Sequence, residues 1–185
     1  MLESRTGLRS LWSASGRVLP LWLSLSRVVL APLFVLSLDD APIVPLTIAL
    51  LACATDFLDG RIARAFAASS ARGAAVDVIA DACFVLSALG GLAAMGRISF
   101  ASPLAAALAL AALARRWNRR SSGSDGRRGV ADLVGHGAGI LNFALVLVGS
   151  AAPLLPGAHL WLPGVSLIVA LVNLAPFVLR PLTEG

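Results

Sequence analysis

The sequence predicts an all-α, polytopic membrane protein with six transmembrane helices, preceded by a possible N-terminal interfacial helix. Three observations carry that expectation. Hydrophobic residues make up 58% of the 185 positions and the mean hydropathy is +0.86, far above an ordinary soluble domain. Apolar runs of roughly 16–20 residues recur, long enough to cross a hydrocarbon core as helices. The basic residues, all arginine, gather in alternate connections between those runs.

Residues 1–17 are mixed. Leu8, Leu11 and Trp12 share one helical face, with Arg5 and Arg9 elsewhere, which fits either a helix lying on the membrane surface or a frayed terminus. Residues 18–182 read as one six-helix domain, with apolar runs at 19–38, 42–58, 73–95, 99–114, 133–152 and 160–179. The first run has span length and no small-residue cleavage site, so it is expected to be retained rather than removed as a leader. The fourth is the shortest, with Pro103 in its first turn, where proline is tolerated. Trp22, Trp117 and Trp161 fall near span ends, as an aromatic belt would place them. Cys53 and Cys83 sit within apolar runs, without a CxxC pair or a nearby histidine, and read as buried, inert thiols. Residues 121–129, rich in Ser, Gly and Arg, read as a connecting loop.

The arginines set the expected orientation. Arg5, Arg9 and Arg17 precede the first run; Arg61, Arg64 and Arg72 lie between the second and third; Arg115, Arg116, Arg119, Arg120, Arg127 and Arg128 lie between the fourth and fifth; Arg180 follows the sixth. Of the arginines, the other three connections hold only Arg97, and the first of them carries Asp39 and Asp40. By the positive-inside rule both termini should be cytoplasmic in a multi-pass cell-membrane protein. The formal net charge of +5 therefore suits anionic lipid and phosphorylated substrates better than nucleic acid.

Against this apolar background stand Asp56, Asp59, Asp77 and Asp81. A carboxylate in or near a bilayer costs on the order of 2.5–3.5 kcal/mol on insertion scales, so four together need compensating charge. Asp56 and Asp59 share one helical face; Asp77 and Asp81, four apart, share another. About the midpoint between Ala68 and Ser69, Asp56 mirrors Asp81 and Asp59 mirrors Asp77. Two antiparallel helices would thus bring all four carboxylates to one place, facing the cytoplasm. Hard oxygen ligands suit Mg²⁺ or Mn²⁺. Two such ions about 3.5–4 Å apart would clamp a diphosphate and stabilise the leaving group of an in-line displacement. One carboxylate could serve as general base toward a hydroxyl. Gly60 and Gly73 permit close backbone approach, and Arg64 offers a phosphate fork. Simple pairing of the aspartates with Arg61, Arg64 and Arg72 is the plainer alternative for any single pair.

These residues resemble the CDP-alcohol phosphatidyltransferases, whose signature is D-x2-D-G-x2-A-R-x8-G-x3-D-x3-D. Asp56, Asp59, Gly60, Ala63, Arg64, Gly73, Asp77 and Asp81 match every position and spacing. The resemblance implies that an alcohol attacks the β-phosphorus of a CDP-linked lipid, typically CDP-diacylglycerol, and CMP leaves. It implies that Asp56, Asp59 and Asp77 hold the metals, that Asp81 is both a ligand and the candidate catalytic base, and that Gly60, Ala63, Arg64 and Gly73 shape the CDP pocket. It also makes a homodimer possible. Members that make phosphatidylglycerol phosphate often carry P-N-x-L-T-x-x-R upstream. Here Pro20, Leu23 and Arg27 are kept, Ser24 stands for Thr and Leu21 for Asn, while Ala82 replaces the usual Lys. Phosphatidylglycerol phosphate synthesis is the reading within the class, and the departures bear on the acceptor.

Arg27 is a charge inside the first run, either turned toward the aspartates or a substrate phosphate, or snorkelling to the surface. Arg115 and Arg116, at the end of the fourth run, could bind an acceptor phosphate such as that of glycerol 3-phosphate, or simply anchor on anionic lipid. Asp132, His136, Asn142 and Asn173 read as polar contacts between helices. Two other functions use similar aspartates. An intramembrane prenyltransferase would want an acid at position 63, which is Ala63. A divalent-cation transporter would need polar positions leading across the membrane, where the outer halves of the runs are apolar.

Overall fold

The structure is a computed structural model that describes residues 22–65, 71–120 and 130–178. Side chains are described among these except at 59–60, 62–65, 71–75, 116–120, 130–136 and 176–178. Six α-helices follow in order: α1 (residues 22–36), α2 (Ile43–Ala65), α3 (Ala71–Ala94), α4 (Ala101–Arg120), α5 (Val130–Ala151) and α6 (Ala158–Val178). Single 3-10 turns, Ser37–Asp39 and Ala152–Leu154, extend α1 and α5. No strand occurs among the described residues. The expected interfacial segment, residues 1–17, and the expected loop at 121–129 lie outside them.

Four stretches are long and apolar enough to cross a membrane: Trp22–Asp39, Val76–Ala94, Gly137–Leu154 and Ala158–Ala175. The other two expected spans fall short on that count, with apolar stretches of only Ile43–Leu58 and Ala101–Arg115. The reason is local: both helices continue into charged turns. At 1.5 Å per residue, α2 with 23 residues still reaches about 35 Å. The chain is an all-α, multi-pass membrane protein.

The buried core draws on all six helices, and a seam of α1, α3 and α5 runs through it. Ala31, Phe34 and Leu38 from α1 and its 3-10 turn meet Phe84, Ala88, Leu89 and Leu92 from α3 and Val146 from α5. Phe34 meets Phe84 edge-on at 5.8 Å, and Phe84 stacks on Phe143 at 5.9 Å. Two glycines permit close helix approach: a Cβ on Gly91 would lie 2.6 Å from Leu38 Cδ1, and one on Gly149 would lie 2.8 Å from Leu92 Cδ1. Small residues at such crossings are how helices pack where no solvent drives them together. The α3–α4 turn is a Schellman cap: Gly96 has φ +68°, its N–H donates to Ala93 O at 2.9 Å, and Arg97 N–H donates to Leu92 O at 3.0 Å. Arg97 also donates from Nη2 to Leu38 O at 3.2 Å, tying this turn to the end of α1.

Polar contacts hold α4, α5 and α6 together. Ser102 Oγ donates to Ser166 O at 2.8 Å, and Ser99 N–H donates to Ser166 Oγ at 3.0 Å. Asn142 and Asn173 exchange amide hydrogen bonds at 3.1 and 2.9 Å, and Asn173 also donates to Val169 O. The expected helix–helix contact is therefore present for Asn142 and Asn173; the side chains of Asp132 and His136 lie outside the described set.

One expectation is corrected. Cys53 is half-buried and Cys83 is exposed, both as free thiols, so they are not a pair of buried cysteines. Cys83 lies one turn after the exposed Ile79 on the outward face of α3. An apolar run cannot distinguish the core face from the lipid face, because lipid is as apolar as the core. Trp22 and Trp161 are exposed, as a belt requires; the side chain of Trp117 is outside the described set.

The reciprocal amide pair generates a prediction. Asn142→Ala and Asn173→Ala are each expected to lower stability in detergent, with a double-mutant coupling of about 0.6–1.7 kcal/mol. Thermal unfolding of the two single variants and the double variant measures it.

Candidate active site

The α1–α3 seam is apolar at one end and charged at the other. On α1, Ser24, Arg27, Ala31, Phe34 and, in the following turn, Leu38 recur every three or four residues, and all are buried. On α3 the facing series is Asp77, Asp81, Phe84 and Ala88. This is knobs-into-holes spacing. The packing that seats Phe34 on Phe84 also carries Arg27, two turns earlier, to the level of Asp77 and Asp81. Asp56, just past the middle of α2, comes to the same place from a third helix.

There the Arg27 guanidinium is the hub. Nη1 donates to Asp56 Oδ1 at 2.8 Å and to Asp81 Oδ1 at 3.3 Å, and Nη2 donates to Asp77 Oδ1 at 2.5 Å. The Arg27 side chain is wholly buried, whereas those of Asp56, Asp77 and Asp81 are 47%, 42% and 35% exposed. Ser24 Oγ adds a hydrogen bond to Asp77 Oδ1 at 3.1 Å. A guanidinium keeps its charge when buried and presents donors in a rigid fork, so one side chain can hold three carboxylates from two helices at once.

Arg27 thus turns inward, and the snorkelling alternative falls away. Asp56 and Asp81, the couple expected at matched depth, do share one nitrogen. The side chains of Asp59, Ala63 and Arg64 and the burial of Gly60 and Gly73 lie outside the described set, although the backbones of all five continue α2 and α3. Arg115 is exposed toward the end of α4, and the Arg116 side chain is outside the described set. Arg61, one of the possible simple partners, lies over the Phe57 ring at 5.5 Å. Sequence reasoning missed the part played by Ser24. The available signal was its place three residues before Arg27, on the same face of α1.

No ready-made group of three metal-ligating side chains is found among the described residues; the carboxylates close on Arg27 instead. The chemistry of the donor set nevertheless fits a divalent cation. All donors are hard oxygens, the kind Mg²⁺ and Mn²⁺ take, and each carboxylate remains partly open. Three carboxylates against one guanidinium leave a formal excess of two negative charges.

Arg27 should therefore matter for stability. Arg27→Ala leaves three carboxylates gathered without their counter-charge and is expected to cost about 3 kcal/mol, the low end for breaking a buried pair because the acids stay partly exposed. Arg27→Lys should recover only part of this, since an ammonium cannot reproduce the fork. Unfolding midpoints in metal-free detergent solution check both.

The family model of the CDP-alcohol phosphatidyltransferases matches residues 17–175, a stretch containing every described aspartate of the site. A Yersinia enterocolitica protein named CDP-diacylglycerol–glycerol-3-phosphate 3-phosphatidyltransferase is 43% identical over 75 residues, covering 38% of this chain and 41% of that protein. Proteins of the same name from Haemophilus influenzae and Sodalis glossinidius are 35% and 40% identical over 75 residues, again 38% of this chain and 40% and 41% of theirs. The chain spans about two fifths of the length of the curated relatives it matches. Since the family's pattern runs through most of its length, this chain belongs to the CDP-alcohol phosphatidyltransferase family.

Proposed function

We propose that this protein is a phosphatidyltransferase of phospholipid synthesis that moves the phosphatidyl group of CDP-diacylglycerol to a small alcohol, with glycerol 3-phosphate as the preferred acceptor, and releases CMP. The observation that carries the reading is the convergence of Asp56, Asp77 and Asp81, from two helices, at one end of a membrane bundle. The names of the relatives support the donor and the acceptor.

In this reading the acceptor hydroxyl oxygen attacks the β-phosphorus of the donor. The bond from that phosphorus to the bridging oxygen breaks, and CMP leaves with the electron pair. Asp81 takes the hydroxyl proton as general base, a role worth about 10²–10⁴-fold. Asp56, Asp59, Asp77 and Asp81 are the residues that would hold Mg²⁺ or Mn²⁺, two ions in the full form of the proposal. When bound, such ions neutralise the diphosphate and the departing phosphate. Gly60, Ala63, Arg64 and Gly73 shape the CDP pocket. Arg115 and Arg116 are candidates for the acceptor phosphate, as is Arg27 once drawn from the aspartates.

The arginine distribution supports cytoplasmic termini and a site opening to the cytoplasm. The lipid donor then enters sideways from the inner leaflet, and the soluble acceptor arrives from the cytoplasm. Association as a homodimer is proposed on the family resemblance.

Purified protein supplied with CDP-diacylglycerol, Mg²⁺ or Mn²⁺ and a panel of alcohols is expected to release CMP, fastest with glycerol 3-phosphate. Chelation with EDTA should stop the release and added Mn²⁺ should restore it. Asp81→Asn should lower turnover by at least about 10²-fold; normal turnover in that variant removes Asp81 from the base role. Release of inorganic diphosphate from a prenyl donor, without CMP formation, would instead indicate prenyl transfer.

A further inference from the structure

The aspartates proposed to hold the metal are already held, in this structure, by a cation that belongs to the chain. Arg27 Nη1 and Nη2 engage one oxygen each from Asp56, Asp77 and Asp81, and Ser24 engages the same Asp77 oxygen. The arginine is wholly buried, so its charge is little screened by solvent and cannot be removed by deprotonation. We infer that Arg27 is a built-in competitor for the metal site: it occupies the carboxylates before ligands arrive, and a donor diphosphate relieves the competition, so that metal and donor bind cooperatively.

The charges supply the reason. Asp56, Asp77 and Asp81 with Arg27 carry a formal charge of minus two, which a single divalent ion cancels. A second ion would leave an excess of two positive charges in a partly buried site, or of one if Asp59 contributes its carboxylate. A diphosphate reverses this balance, because its oxygens give both the metal and the guanidinium an anion to face. Arg27 can then loosen its hold on the aspartates without being left buried and unpaired. Reciprocity follows from linkage: whatever factor the donor adds to metal affinity, the metal adds to donor affinity. The fork geometry distinguishes this from a neutral structural tie. A residue that merely positioned the aspartates would strengthen metal binding by gathering them; Arg27 gathers them around its own charge.

This inference rests on the reading of the aspartates as metal holders, and the test separates the two. Mn²⁺ binding to the purified full chain is followed by electron paramagnetic resonance, with and without CDP as a soluble diphosphate probe. The proteins compared are the parent, Arg27→Met, Arg27→Lys and the double variant Asp56→Asn/Asp77→Asn, which reports Mn²⁺ held by free CDP alone. Without CDP, Arg27→Met is expected to bind Mn²⁺ about tenfold tighter than the parent, with Arg27→Lys between them. CDP should tighten Mn²⁺ binding to the parent and change that of Arg27→Met far less. Unchanged or weaker Mn²⁺ binding in Arg27→Met, or an equal gain from CDP in both proteins, overturns the inference while leaving the metal site standing. If the parent binds no more Mn²⁺ than the double variant under either condition, the metal reading fails and the inference falls with it. Should Arg27→Met not yield a monodisperse, folded protein, Arg27→Lys carries the decision by the same criteria: Mn²⁺ binding tighter than the parent supports the inference, and equal or weaker binding overturns it.

Discussion

One buried guanidinium determines how this end of the molecule is put together. Arg27 on α1 reaches Asp56 on α2 and both Asp77 and Asp81 on α3. Without it, three carboxylates would face one another within a largely apolar bundle, where repulsion is poorly screened. With it, three helices share one electrostatic knot, and α1 cannot shift or rotate without breaking all three pairs. The apolar half of the same seam, Phe34 against Phe84, sets the register that brings the arginine to its acids. Packing at one end and charge at the other thus agree on a single alignment of α1 and α3.

The rest of the bundle follows the same economy of polar contacts. Serine hydroxyls and the Asn142–Asn173 amides join α4, α5 and α6, each satisfied by a partner rather than by solvent. Such contacts are individually modest in membranes, but they restrict which helix faces can meet.

The position of Arg27 also bears on how several aspartates can gather in a membrane protein. A structural counter-charge lowers the cost of assembling the acids, and on the proposed reading of the site the same charge would compete with the ions those acids hold. A site arranged in this way would be stable when empty and responsive when donor and metal are both present. Family membership is established by the pattern over residues 17–175; the reaction is proposed on that basis, and the counter-charge is a property of this chain's own residues.

The one-dimensional pattern by itself determined much of this protein. The apolar runs located all six helices, with α2 and α4 extended past their apolar stretches because an amphipathic or charged turn can stay helical once it leaves the hydrocarbon. The spacing of the aspartates anticipated the meeting of Asp56, Asp77 and Asp81, since a helical period of 3.6 dictates which residues share a face. Tertiary structure alone decided the matters that depend on faces and partners. Cys83 looks outward, which the apolar run could not reveal because lipid and core are equally apolar. Arg27, equally able from sequence to snorkel or to turn inward, turns inward because the α1–α3 seam carries it to three carboxylates whose combined charge outweighs the attraction of the surface. Ser24 joins it for the same reason: only the packed helices show that its hydroxyl meets Asp77.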